Sequence, residues 1–156
     1  MKTLKTLFLL LVLVCAGNSF GQTKEETIAW LKEKLEKYTV LPDYITERTG
    51  KASDLKLTHI DECSFTFTYT NEDGFKEIAT VPTLGFEFKE FADGFFIGHK
   101  ISAIKCEIYK NAEKPEKYNY SWIRVRLVEG EIDLKERMKK ASAHLATFCK
   151  ENKQTF

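Results

Sequence analysis

The sequence has almost no charge imbalance, few histidines and little continuous apolar sequence, and each shortage removes a class of function. Its 156 residues carry 24 lysines and arginines against 23 acids, a formal charge of +1. A nucleic-acid partner needs a clustered basic excess to neutralise phosphates, so none is expected. The 3 histidines are His59, His99 and His144. None stands two, three or four residues from another histidine, and the one histidine–cysteine pair at that spacing, His59 and Cys63, has no second such pair to complete a structural zinc site. Neither a metal site nor a cofactor is therefore expected. Serines occur without the Gly-x-Ser-x-Gly elbow of common hydrolases. The glycine-bounded run from Gly94 to Lys100 lacks P-loop spacing and reads as a turn entering a strand. No catalytic residue is assigned from the sequence.

The one unbroken apolar run extends from Leu7 to Ala16, behind a basic start made by Met1, Lys2 and Lys5. It is too short for a spanning helix, which needs roughly 20 apolar residues. It does suit the core of a secretory signal peptide, which needs only about 7 to 15 and is followed by small residues at the cut. Ser19 and Gly21 supply these, placing cleavage between Gly21 and Gln22 and making residues 1–21 a signal peptide. Cys15 raises the alternative of a lipoprotein anchor, but Val14 and Val12 occupy the positions where such signals place a small residue and a leucine. The ending Ser19-Phe20-Gly21-Gln22 resembles the signal peptides of Bacteroidetes-type bacteria, which implies a periplasmic or extracellular bacterial protein. Residues 22–156 are then expected to form a single α+β globular domain, long enough for one real core. The removed segment holds two lysines and no acid, so the remaining chain stands at −1. No later stretch is long and apolar enough to cross a membrane.

Cys63, Cys106 and Cys149 remain after cleavage. An odd number in an oxidising compartment leaves at least one free or paired with another chain. Cys63 shares strand phase with Phe65, Phe67 and Tyr69, Cys106 shares phase with Ile104 and Ile108, and Cys149 sits beside Phe148 on a helix. Small buried thiols are the simplest reading of all three. A single disulfide, with any of three pairings, is the alternative.

Thr23 and Glu26 have capping-box spacing at the start of a first helix, on which Ile28, Leu31, Leu35 and Tyr38 form an apolar stripe with Trp30 off it. Leu41-Pro42 should end that helix, and residues 43–53 read as an irregular connection. Its acids Glu25, Glu26, Glu33 and Glu36 alternate with lysines, as a solvated face does. Between Leu55 and Val128 the apolar period changes to two, the signature of strands. Cys63 to Thr70 alternates apolar with hydroxyl-bearing residues, and Asn71-Glu72-Asp73-Gly74 is hairpin-turn chemistry. Strands are expected from Phe75 to Val81, around Phe86 and Phe88, along Ile101 to Ile108, and from Tyr118 to Val128. Turns are expected at Ala92-Asp93-Gly94 and at 111–117. Asp133 and Glu136 repeat capping-box spacing ahead of a closing amphipathic helix with Leu134, Met138, Ala141, Leu145 and Phe148 on its stripe.

The expected fold class is therefore α+β: an N-terminal helix, an antiparallel sheet or bent barrel of six to seven strands, and a C-terminal amphipathic helix. The order of elements across residues 55–150 resembles a pleckstrin-homology-like fold, in which a closing helix plugs a bent antiparallel barrel. The resemblance is architectural, and it implies no lipid-binding residue. Cystatin-like and lipocalin-like arrangements are the other ways of assembling these elements.

One surface feature stands out. Tyr118, Tyr120, Trp122, Arg124 and Arg126 share one phase of the last strand, while Ile123, Val125 and Leu127 share the other. Aromatic rings stack on flat ligands and guanidinium groups read acids in bidentate fashion, so these five residues are the candidate ligand-binding set. The competing use of that face is as a seat for the first helix. The favoured function is an exported, non-catalytic module that binds a peptide, a protein or a small ligand. The alternatives are a small hydrolase or isomerase whose acids and histidines converge only in three dimensions, and a subunit of an envelope assembly that shows an exposed apolar patch. Intact mass of the protein recovered after export should correspond to a chain beginning at Gln22; a chain beginning at a lipid-modified Cys15 would select the anchored alternative.

Overall fold

A computed structural model describes residues 23–41, 52–92, 94–110, 114–128 and 130–149. The signal segment, Cys15, Pro42 and most of the expected 43–53 connection lie outside the described residues. The elements run α1 (Lys24–Tyr38), β1 (Thr39–Val40), β2 (Ser53–Ile60), β3 (Ser64–Thr70), β4 (Lys76–Pro82) and β5 (Phe86–Phe91). They continue through β6 (Gly94–His99), β7 (Ile104–Tyr109), β8 (Glu116–Tyr120), β9 (Trp122–Leu127) and α2 (Leu134–Ala146). The fold is α+β, as the patterning predicts, with the strands divided between two antiparallel sheets. One has four strands in the order β1-β9-β6-β5 and the other five in the order β2-β3-β4-β7-β8. Neither sheet closes into a barrel.

Helix α1 begins as expected. The Thr23 hydroxyl accepts from the Glu26 amide at 3.2 Å, and the Glu26 carboxylate accepts from the Thr23 amide at 2.9 Å. Leu31 and Leu35 are fully buried and Ile28, Trp30 and Tyr38 pack against the core edge. The helix stops at Tyr38, ahead of the expected Leu41-Pro42. Thr39 and Val40, both β-branched, instead pair with Leu127 and Arg126 of β9. Lys34, three residues after Leu31 and four before Tyr38 and so beside the apolar stripe, is 7% exposed. Its ammonium reaches Glu131 at 2.6 Å, and Arg137 reaches the same carboxylate at 2.9 Å. This cluster ties α1 to the approach of α2.

The strand count exceeds expectation because the run entering the expected Ile101–Ile108 strand forms a strand of its own, the expected Tyr118–Val128 strand divides, and Thr39–Val40 adds a short one. The segment from Gly94 to Tyr109 breaks at Lys100–Ala103 into β6 and β7, and Glu116 to Leu127 breaks at Ser121 into β8 and β9. In each case the two halves belong to different sheets. The short link from β4 to β5 also changes sheet, as does the passage from β1 to β2, and the three crossings other than β1–β2 share one set of contacts. All three are fastened together by the His99 amide donating to Ser121 O at 2.8 Å and the Lys100 amide donating to Gly85 O at 3.1 Å. The buried His99 ring donates from Nε2 to Leu84 O at 2.6 Å, and its Nδ1 lies 2.9 Å from Ile101 O and 3.2 Å from the Ile101 amide. Gly85 is required there twice over. Its φ is +86°, and a Cβ at that position would lie 2.8 Å from His99 Nε2.

Phe65, Phe67, Tyr69, Ala79, Val81, Ile104 and Cys106 from the five-stranded sheet form one core cluster with Ile97, Ile123, Val125 and Leu127 from the four-stranded sheet. Helix α2 adds Leu134, Met138, Ala141 and Leu145 to it, and packs on α1 and β5. Two expectations for α2 fail. Asp133 adopts φ 57° and makes no side-chain cap, because the chain enters the helix through a left-handed residue that turns the carboxylate away from the free amides. Phe148 lies past the helix end, 38% exposed against the His144 ring.

The reading of three buried thiols is also corrected: Cys63 and Cys149 form a disulfide, and Cys106 alone is free and buried. Cys63 keeps the inward phase of Phe65, but it lies before β3, where that direction meets the end of α2. Its turn is held by Asp61, whose Oδ1 accepts from the Cys63 and Ser64 amides at 2.8 Å each. Burial pushes the Asp61 carboxyl up, but the His59 ring and the two amides outweigh it and hold the group below its ordinary range. Thr83 completes the seam. Its amide donates to Cys63 O at 2.9 Å, and its own carbonyl accepts from the buried Ser142 hydroxyl at 2.9 Å.

The disulfide spans a sequence separation of 86 residues, for which loop-closure entropy gives about 4–5 kcal/mol, with measured effects nearer 2–4 kcal/mol. Unreduced peptide mapping should recover Cys63 and Cys149 in one cross-linked product, with Cys106 alkylated only after denaturation. Replacing both bridged cysteines by alanine should lower urea-unfolding stability by roughly 2–4 kcal/mol.

Candidate functional site

The five candidate residues do not share one face. Side chains directly opposite each other in an antiparallel pair project from the same side of the sheet. Tyr120 pairs with Ile104 and Tyr118 with Cys106, so both tyrosines stand on the core-facing side of the five-stranded sheet, at its β8 edge. Past Ser121 the chain belongs to the other sheet, where Ile123, Val125 and Leu127 face the core. Trp122, Arg124 and Arg126 take the opposite phase, away from the core. The crossing at Ser121 thus separates residues that a straight strand would have kept together.

The outer group is a packed aromatic cluster. Trp122 lies 4.9 Å from Phe91 and 5.6 Å from Phe96 between ring centroids, and Phe91 meets Phe96 edge-on at 5.4 Å. Such pairs contribute about 0.5–1.5 kcal/mol each beyond their buried area. Arg126 lies over Gly94, where an added Cβ would come within 3.0 Å of its side chain. Helix α1 does not cover this region; it packs on α2, β2 and β1. The expected seat for the first helix is therefore elsewhere. Tyr118 and Tyr120 stack at 5.9 Å, and Tyr118 also donates to Glu116.

Tyr120, Trp122 and Arg124 do converge, together with residues absent from the candidate set. They line a cleft of about 440 Å³ whose floor is Tyr69, Glu77, Ile108 and Ile123 and whose rim is the β3–β4 turn, Asn71, Glu72 and Asp73. The turn is rigidly built. Asn71 Oδ1 accepts from the Asp73 and Phe75 amides at 3.1 and 3.0 Å, and Gly74 supplies φ +79°. Glu72 forms an ion pair with Arg124, which fastens the turn to β9. The larger hollow between β1 and β2, about 920 Å³, has no aromatic lining among the described residues and ends at Leu41 and Ala52, on either side of residues outside the description.

The distinctive group in the cleft is Glu77. It follows the inward phase of Ala79 and Val81, and it is only 9% exposed. A carboxylate there is costly unless hydrogen bonds satisfy it. Tyr69 Oη donates to Glu77 Oε1 at 2.7 Å, and the Cys106 thiol is hydrogen-bonded to the same carboxylate. Burial and the Glu77 charge push both the Tyr69 hydroxyl and the Cys106 thiol well above their ordinary values. Both remain protonated donors, and Cys106 is poorly disposed to act as a thiolate nucleophile. Burial, followed by Cys106 and Glu77, raises Tyr120 as well.

The histidines are dispersed over three different elements. His59 pairs with Asp61 at 2.8 Å on the exposed side of β2, His99 holds the crossings, and His144 packs on Phe148. Among the described residues, no group of three histidine, cysteine or acidic side chains could hold a metal ion. No helix among them is long and apolar enough to cross a membrane.

Sequence reasoning named Tyr120, Trp122 and Arg124 but missed Glu77, Tyr69 and the acidic turn. A signal for Glu77 was present, since a charge stands where alternation demands an apolar side chain. Nothing local marks Glu72, whose partner is 52 positions away in sequence. Comparison with protein families, with curated proteins and with solved structures finds no match to this chain.

Replacing Tyr69 with phenylalanine removes a donor from a buried carboxylate. It should lower unfolding free energy by about 1–3 kcal/mol, read by urea denaturation, whereas Tyr118→Phe at the exposed edge should change it by less than about 0.5 kcal/mol.

Proposed function

We propose that this protein is an exported binding module whose ligand enters the cleft between the two sheets at Tyr120, Trp122 and Arg124. The observation that carries this reading is Glu77, a carboxylate on the core side of the sheet at a point where the interior opens outward. Structural needs alone favour an apolar residue at that position. A mostly pre-formed concavity with aromatic walls and a few placed charges is the usual construction of a small-ligand site, and its volume falls within the common range of about 300–1,000 Å³. Tyr120 and Trp122 offer ring area at low conformational cost, while Arg124 and the acidic turn supply orientation. Export is supported by the signal-like N-terminus and by the Cys63–Cys149 bridge, since such bonds persist in oxidising compartments. The Tyr118 end of β8 and the outer Phe91–Phe96 pair are supporting structure in this reading.

The test is a nitrogen–proton correlation spectrum recorded against a panel of amines, acids, sugars and short peptides. Binding should shift Trp122, Tyr120 and the Glu72–Asp73 turn together. Tyr120→Ala should weaken affinity about tenfold or more, and Tyr118→Ala less than about twofold. Shifts confined to the outer Phe91–Phe96 surface, or no shift with any member of the panel, would end this proposal.

A further inference from the structure

Resting on the cleft as the binding site, we infer that its ligand is an organic cation, an amine or guanidinium group carried on an aliphatic arm, such as a lysine or arginine side chain of a peptide. The first observation is charge. Three carboxylates, Glu72, Asp73 and Glu77, line the cleft beside one cation, Arg124. That cation is already engaged by Glu72; Lys110, outside the lining, acts on Asp73 at the rim only at a distance, and Glu77 on the floor makes no ion pair among the described residues. An anionic ligand would have to displace Glu72 from Arg124 while approaching the other two carboxylates. A cation meets both of them without breaking any existing pair.

The second observation is the setting of Glu77. Its carboxylate is held by donors on the protein side, Tyr69 and Cys106, yet it lines the cleft. A charge with most of its water removed acts on a neighbouring ion through a lower effective dielectric than a surface carboxylate does. The third is the wall chemistry. The faces of Trp122 and Tyr120 present negative π-density, which attracts ammonium and guanidinium groups, and the apolar floor at Ile108 and Ile123 suits a methylene arm. No three acidic, histidine or cysteine groups among the described residues converge tightly enough for a metal ion, so the acids are spaced for an extended cation.

The experiment uses the purified protein with agmatine and spermidine as cationic probes, glutarate as anion and methyl glucoside as neutral polyol, followed by calorimetry and by the Trp122 indole resonance. The expected result is binding of the cations alone, weakened about tenfold or more by Glu77→Gln, by at least about threefold by Asp73→Asn, and progressively by added salt. Asp73 is exposed in the turn, so its variant keeps the test open even where Glu77→Gln impairs folding. Glutarate binding that depends on Arg124, or glucoside binding insensitive to both acidic variants, would overturn the cation assignment and leave the cleft standing. Failure of all four probes to move Trp122 would overturn the cation assignment and count against the cleft as well.

Discussion

The imidazole of His99 holds together three of the four places where the chain passes between the two sheets. Its ring bonds to Leu84 and Ile101, its amide to Ser121, and the next amide to Gly85. Buried backbone groups at three strand crossings would otherwise lack ladder partners, since a crossing interrupts the sheet by definition. Gathering the crossings around one side chain satisfies several of those groups at once. It also fixes which sheet receives each strand, and so which side of every later residue faces the core.

That constraint makes the cleft. Strands β8 and β9 are neighbours in sequence but lie in different sheets, and the interior opens where they part. Tyr120 ends the first and Trp122 begins the second, so the two aromatic walls belong to opposite layers. The β3–β4 turn reaches Arg124 across the opening through Glu72, and Glu77 forms the floor. A carboxylate in such a place is tolerated because Tyr69 and Cys106 stay protonated and donate to it.

The helices are secured from the other side. The disulfide joins the β2–β3 turn to the end of α2, Ser142 bonds the β4–β5 crossing, and the Lys34–Glu131–Arg137 cluster joins α1 to the loop before α2. The bond to Thr83 places the α2 anchorage next to the crossing that His99 organises. Covalent and hydrogen-bonded ties thus meet where the crossings gather.

The sequence by itself determined whatever depends on near neighbours. The Thr23–Glu26 capping box, the stripes of both helices, the alternation from Phe65 to Tyr69 and the Asn71–Gly74 turn are set by contacts within a few residues, and local periodicity reports them faithfully. Tertiary structure decided what depends on direction after a bend. Ser121 and Lys100–Ala103 carry no strong breaker signal, so the breaks at these two points, the parting of Tyr118 and Tyr120 from Trp122 and Arg126, and the Glu72–Arg124 pair could not be read from spacing. The pairing of Cys63 with Cys149 is of the same kind, because phase gives the side of a sheet but not which distant element covers it. Glu77 lies between the two cases: its inward phase was legible, but the donors that satisfy it and the opening it faces exist only once the sheets have come together.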